Sequence, residues 1–377
     1  MIRALFWTLI FFVLYAYAGY PLLLLLLSRF RDRPVRKAQI YPRVSLIIAA
    51  HNEQRRIEEK LRNSRELDYP TDRLEILVAS DCSTDATDEI VEAFRPHGVQ
   101  LVRSSTRRGK EAAQQEALAA SQGDILVFSD VGTLLEPQAL TQIVSNFADS
   151  TVGCVSSEDR VVDADGRVTG ENVYVRYEML LRSLESRVNS LVGLSGSFFA
   201  ARREVCHPWR SDLQSDFNTL LNSIRRGLRG VSDPQSIGYY ANLAAESQEF
   251  QRKVRTVVRG IAVFMNSLPL LNPLRHGLFA WQLVSHKLCR WLVPWCLLGA
   301  FICNLWLLPS GKGYWLFFSL QSLFYTTGLT GVLRSKPPSA LLLKIPFYFL
   351  SVNAAIAVAW VRYLLGERYV IWQPSSR

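Results

Sequence analysis

Two kinds of loop and one cysteine spacing are missing from this 377-residue sequence. No G-x-G-x-x-G and no G-x-x-x-x-G-K-S/T run occurs, which argues against a dinucleotide enzyme and against a phosphate-loop NTPase. The six cysteines form no C-x-x-C pair of the kind that holds zinc. Cys289, Cys296 and Cys303 instead recur every seven residues in or beside apolar sequence, so packing is their expected role. A basic and aromatic RNA-binding motif is also lacking, and the basic clusters flank apolar segments. The net charge of +10 therefore points to membrane topology and anionic headgroups, with no nucleic-acid partner. Charged residues make up 20% of the chain against 49% apolar, which excludes disorder and leaves enough apolar surface for a large core.

Charge is absent altogether from Ala4 to Ser28, a stretch longer than the roughly 20 residues that cross a bilayer as a helix. "AYA" at 16–18 resembles a signal-peptide cleavage site, but "PLLLLLL" follows directly and Arg3 is the only early charge, so an anchor is expected. The next segment, "RFRDRPVRK", carries five basic residues and one acid, which by the positive-inside bias puts it in the cytoplasm and the N-terminus outside. Apolar character returns at 291–309, 313–333 and 345–365, three further expected spans. The basic connector "RSKPPSALLLK" (334–344) is expected in the cytoplasm, and simple alternation then puts the tail "GERYVIWQPSSR" outside. A re-entrant or interfacial segment after Arg259 reverses that last step.

Between the apolar ends the pattern changes. "VSLIIAAHNE", "LEILVASDCSTDAT", "VQLVRSS" and "GDILVFSD" are apolar runs that end in polar residues, separated by helical stretches such as "KEAAQQEALAAS". Continuous apolar strands alternating with helices indicate an α/β fold, a mostly parallel sheet with helices on both faces. Ligands in such sheets bind beyond the C-terminal strand ends. Here those ends carry His51, Asn52 and Glu53, then Asp81, Ser83 and Asp85, then Asp130. Each is also an ordinary helix-capping residue taken singly, but three acidic strand ends at one edge suit ribose hydroxyls, a base, or a divalent cation held by oxygen.

"AAHNE", "SDCSTDAT", "RRGK", "GDILVFSD", "GLSGSFFAARR", "SDF" and "FQRKVRT" follow one another in the order of membrane-bound family 2 glycosyltransferases, which the chain resembles over about residues 43–260. The resemblance implies a GT-A nucleotide-sugar-binding fold, inverting chemistry, and a bacterial cytoplasmic (inner) membrane location with the catalytic domain in the cytoplasm. It divides the chain into an anchor with its basic flank (1–37), the GT-A domain (38–250), a basic interfacial helical segment (251–286), and a C-terminal region of about three membrane helices with a tail (287–377). Carried over position by position, it puts Ala50, Asn52 and Glu53 beside the nucleotide base and Asp81 on the base or ribose. Lys110 becomes a basic contact to the nucleotide or its diphosphate. Asp130 is the first acid of a D-x-D motif that holds Mg²⁺ or Mn²⁺, although Gly132 stands where the second acid is expected. Gly193 and Gly196 are small residues that let an acceptor approach the backbone, and Asp216 matches the general base. Arg252 and Arg255 lie toward the diphosphate, but Arg252 and Thr256 replace the Gln and Trp of the processive synthases' Q-x-x-R-W.

The function this implies is transfer of a sugar from a nucleotide diphosphate sugar, of the UDP-linked class, to a lipid or lipid-linked acceptor at the cytoplasmic membrane face. Two alternatives stand beside it. One is a processive polysaccharide synthase, disfavoured by the missing tryptophan. The other is a catalytically silent membrane subunit that binds nucleotide sugar, made conceivable by the missing carboxylate.

Overall fold

Val44–Ala50 (β1) reads VSLIIAA, and every one of its residues is buried, as expected of a strand covered on both sides. Along it the side chains alternate: Leu46, Ile48 and Ala50 join one apolar cluster with Ile57 and Leu61 of the helix Ile57–Arg65. Ile47 joins another, with Ala113, Ala117 and Leu118 of the helix Lys110–Ala120. Both faces of the sheet therefore carry helices. Each such aliphatic side chain, fully buried, stabilises the fold by about 1.5–3 kcal/mol. The computed structural model describes residues 1–162, 173–241, 246–333 and 341–371.

Among those residues the sheet has eight strands: β1, β2 (Leu74–Ser80), β3 (Val99–Arg103), β4 (Ile125–Asp130), β5 (Thr133–Leu135), β6 (Val152–Val162), β7 (Phe198–Arg202) and β8 (Arg229–Ala241). Their spatial order is β3-β2-β1-β4-β7-β6-β8-β5. The first four strands pair in parallel, with Ala50 opposite Ser80 and Ala49 opposite Asp130, so the ends of β1, β2 and β4 lie level. Beyond β4 the sheet is mixed: β7 runs antiparallel to both neighbours, β6 and β8 are parallel, and β5 pairs antiparallel at the edge.

The chain divides into two units. The α/β unit comprises Leu27–Asn242, Ser267–Phe279 and Val370–Arg377, and the helical unit comprises Met1–Leu26, Leu243–Asn266 and Ala280–Tyr369. In the helical unit Phe6 packs with Ala300, Cys303 and Leu307, and Ala16 with Cys289 and Val293, which gives two of the regularly spaced cysteines the packing role that their spacing implied. Val254 and Val258 of the amphipathic helix Glu246–Met265 pack against Ala355 and Ala359.

Among the described residues three stretches are long and apolar enough to cross a membrane: Ile2–Phe30, Leu278–Ser310 and Leu343–Leu364. The helix Lys312–Leu333 forms where a further span was expected. Val370 belongs to the α/β unit, its carbonyl so near Gly109 that a Cβ there would run into it. Residues 334–340 of the basic connector and 372–377 of the tail lie outside the described residues.

Candidate active site

The loops that follow β1 and β2 are tied to one another. Asn52 and Cys82 both adopt a left-handed backbone, at φ 54° and 55°. Asn tolerates this conformation through its short polar side chain, whereas Cys82 carries strain. The Asn52 side-chain oxygen accepts the Thr84 N–H (2.8 Å), and the Asn52 N–H donates to Ser83 Oγ (3.2 Å). The Glu53 N–H donates to Thr87 Oγ1 (2.7 Å), and the Gln54 N–H to Asp85 Oδ2 (3.1 Å). Asp85 also accepts the Thr87 N–H, from one residue ahead of Ala86, the N-cap of the helix Thr87–Ala93. Burial works against the Asp85 charge, but hydrogen bonds from Thr87 and Gln54 outweigh it and hold its carboxyl below the usual range. Glu53 turns to Arg56, and burial raises its carboxyl. Ala50 is buried, with its carbonyl engaged by the Asp81 N–H (2.9 Å).

Asp81 carries this arrangement to the next motif. Its side chain is buried and accepts the N–H groups of Arg108 (2.8 Å) and Gly109 (2.9 Å), one on each oxygen. Gly109, at φ 98°, supplies a turn that other residues rarely make, and the helix Lys110–Ala120 begins directly after it. Lys110 is thereby aimed across the sheet end, where its ammonium pairs with Asp130 Oδ1 and donates to the Gly196 carbonyl (3.0 Å). Burial opposes the Lys110 charge, but Asp130, Glu111 and Asp216 outweigh it and raise its pKa.

Gly196 is the meeting point of the site. Its neighbour Ser197 accepts the Asp130 N–H (2.9 Å), and a Cβ on Gly196 would stand 2.9 Å from Asp216 Oδ2. A side chain at this position would therefore push the Asp216 carboxylate aside. Asp216 is 7% exposed, in the first turn of the helix Ser215–Arg225, and it is not that helix's N-cap, which is Gln214. Its oxygens accept from Phe217 N–H (2.8 Å) and Gln214 Nε2 (3.1 Å). Gly193 lies earlier in the same loop, its carbonyl accepting from Arg182 (3.3 Å).

Asp81, Lys110, Asp130, Gly196 and Asp216 are thus brought together, with Ala50, Asn52 and Glu53 in the adjoining loop. Arg252 and Arg255 belong to the helical unit, half-buried on the helix Glu246–Met265. One residue of this region was missed from sequence. Lys60 is fully buried beneath the Asp130 turn, its ammonium donating to Ser129 Oγ (2.8 Å) and to the Thr133 carbonyl. Burial pushes its pKa down to about 7. The signal was present: Ile57, Lys60, Leu61 and Ser64 form the inward stripe of one amphipathic helix, and a lysine in such a stripe calls for buried acceptors.

Among the described residues no three His, Cys, Asp or Glu side chains converge as a ready-made metal cage. Mg²⁺-type ions, however, are commonly held by one or two carboxylates together with substrate phosphates and water. Asp130 suits that arrangement, because its carboxylate is partly exposed at the strand end and already faces a cation.

Residues 45–208 match the family described as Glycosyl transferase family 2. The chain is 28% identical over 173 residues to a probable glycosyltransferase, YdaM, of Bacillus subtilis, covering 44% of this chain and 41% of that protein. It is 37% identical over 119 residues to the beta-monoglucosyldiacylglycerol synthase of Synechocystis, covering 30% and 25%. It thus spans less than half the length of these relatives. Among solved structures, the mannosyltransferase PcManGT of Pyrobaculum calidifontis, in complex with GDP-Man and Mn²⁺, shares the fold at a TM-score of 0.76, with 24% identity over 98% of this chain and 100% of that one. Residues 45–208 thus carry a match to Glycosyl transferase family 2, on a mixed eight-stranded sheet that shares the fold of that mannosyltransferase.

Proposed function

We propose that the chain transfers a sugar, with inversion, from a nucleotide diphosphate sugar to a lipid or lipid-linked acceptor at the cytoplasmic face of a membrane. The observation that carries this reading is the convergence of Asp130, Lys110 and Asp216 on the one loop at Gly196. The β1, β2 and β4 ends hold the donor: Asp81 shapes the Arg108–Gly109 turn and keeps lone pairs for the base or ribose, while Ala50, Asn52 and Glu53 border the base. Asp216 takes the proton from the acceptor hydroxyl as that oxygen attacks the anomeric carbon from the face opposite the leaving group, a contribution on the order of 10²–10⁴-fold. Gly193 and Gly196 leave room for the acceptor beside it.

The Lys110 ammonium neutralises charge on the departing diphosphate, with Arg252 and Arg255 as further basic partners. A divalent cation, held by Asp130 and the diphosphate oxygens, would supply Lewis-acid stabilisation of the same charge. A lipid acceptor is supported by helices that, among the described residues, are long and apolar enough to cross a membrane, and by the lipid named in the Synechocystis relative.

The test uses the full chain in detergent or lipid discs with Mn²⁺. UDP- and GDP-linked hexoses and N-acetylhexosamines are screened for thermal stabilisation and turnover, with diacylglycerol and polyprenyl phosphate offered as acceptors. At least one donor should both stabilise the protein and be consumed. Stabilisation without consumption under any acceptor would favour the silent-subunit reading.

A further inference from the structure

The Ser195–Gly196–Ser197 loop sits between the groups assigned to donor and to acceptor, and its placement has a cause outside the sequence motifs. The ladder between β6 and β7 ends at the pair Ser156–Phe199. Beyond it, side chains of β6 take over. The Ser157 hydroxyl donates to the Phe198 carbonyl (2.6 Å), and Ser156 Oγ accepts the Ser195 N–H (2.7 Å). Asp159 accepts the Ser197 hydroxyl on Oδ1 (2.7 Å) and the Ser195 hydroxyl on Oδ2. An irregularity in the β6–β8 register between Ser156 and Glu158 precedes Asp159, the kind of local break that re-aims a side chain. Arg182 braces the same loop from the helix Val173–Val188, donating to Ser156 Oγ (3.0 Å) and to the Gly193 carbonyl (3.3 Å).

One carboxylate thus grips the residues on both sides of Gly196. On the opposite side the loop meets Lys110 through the Gly196 carbonyl, Asp130 through the Ser197 carbonyl, and Asp216 at the Gly196 Cα. Hydroxyl donors to a carboxylate are among the stronger and more directional hydrogen bonds, so Asp159 fixes the loop along two directions at once. The donor-side contacts of Asp81 with Arg108 and Gly109 do not pass through this network.

We propose that Asp159 is a positioning residue for the transfer step: by holding Ser195 and Ser197 it sets the gap between Gly196 and Asp216 in which the acceptor hydroxyl is deprotonated. This rests on the glycosyltransferase reading given above. A misplacement of about 1 Å at a reacting centre costs on the order of 10²-fold in rate. Asp159→Ala, which releases both serines, should therefore lower kcat for acceptor transfer by roughly that factor. Asp159→Asn keeps one accepting oxygen and should cost about 10-fold by the same reasoning.

The experiment measures four quantities on the full chain, wild type and variants: kcat and KM with acceptor, donor affinity by calorimetry, donor hydrolysis by water, and the thermal midpoint without ligand. The donor is the nucleotide sugar found in the screen above. The expected result is a kcat loss in Asp159→Ala with donor affinity, water hydrolysis and midpoint all close to wild type. The double variant Ser195→Ala/Ser197→Ala should reproduce it, and adding Asp159→Ala to that pair should cost little more, because all three act through one network. Unchanged kcat in Asp159→Ala, or parallel losses of kcat, donor affinity and midpoint, would overturn the positioning role. A wild-type chain that neither binds nor consumes any nucleotide sugar would instead overturn the glycosyltransferase reading, and the inference with it.

Discussion

The two halves of the sheet hold their functional groups in different ways. In β1–β4 the strands are parallel and the polar residues at their ends are fixed largely by backbone groups: Asp81 by two N–H groups, Asn52 by the Thr84 N–H, Asp85 by those of Thr87 and Gln54. Beyond β4 the strands are mixed, and the working loop is fixed largely by side chains, Asp159 and Ser156 gripping Ser195 and Ser197. A site bound to main chain keeps its shape when single side chains change. A site held by side chains can be detuned one residue at a time. With the first half given to the donor and the second to the acceptor, variants should separate the two activities.

The largest separation is expected from Asp216→Asn. Turnover should fall by at least ~10²-fold, as expected when a general base is lost, while donor affinity measured by calorimetry stays near wild type. Wild-type-like turnover would return Asp216 to a structural part in the first turn of its helix.

Gly196→Ala should come next. Its Cβ would stand 2.9 Å from Asp216 Oδ2, so the carboxylate must give way. Acceptor transfer should drop by ~10-fold or more with little change in donor affinity. Equal losses in both would merge the two halves.

The smallest effect concerns stability of the second half. Asp149 lies between Arg229 at the start of β8 and the N–H groups of Thr151 and Arg36. Burial opposes its charge, but these hydrogen bonds outweigh it and lower its pKa to about 2. A folded-state pKa below the unfolded value of about 3.9 means that the stabilisation is present above that value and is lost as pH falls from about 4 to about 2. The thermal midpoint of wild type should therefore fall across that window, and Asp149→Asn should be less stable at pH 7 with a flatter acid limb. An acid limb unchanged by the substitution would remove this pair from the account.

Legibility in the sequence follows the same division. The parallel half could be read because β1, β2 and β4 are buried along most of their length and so appear as apolar runs, closed by polar residues that the topology brings level. In the other half β6 and β8 read poorly: β6 ends in "SSEDRVV" and β8 contains "SDPQS", both rich in polar residues. Asp159 had no motif to mark it, since its partners lie 36 and 38 residues away and come near only through β7. Asp216 was legible through motif order, and the close passage of Gly196 past it was not, because that depends on how a loop crosses a helix start.

The most direct test is calorimetry of one nucleotide sugar on wild type, Asp130→Ala and Asp216→Asn, each with Mn²⁺ and with chelator. If the donor is held by the parallel half through Asp130, wild type and Asp216→Asn should bind it ~10-fold or more tightly with Mn²⁺ than with chelator, as expected where one carboxylate shares the ion with the diphosphate. Asp130→Ala should lose that dependence. Equal affinity with chelator and with Mn²⁺ in wild type, or a loss of donor affinity in Asp216→Asn as large as in Asp130→Ala, would contradict the separation of donor and acceptor halves.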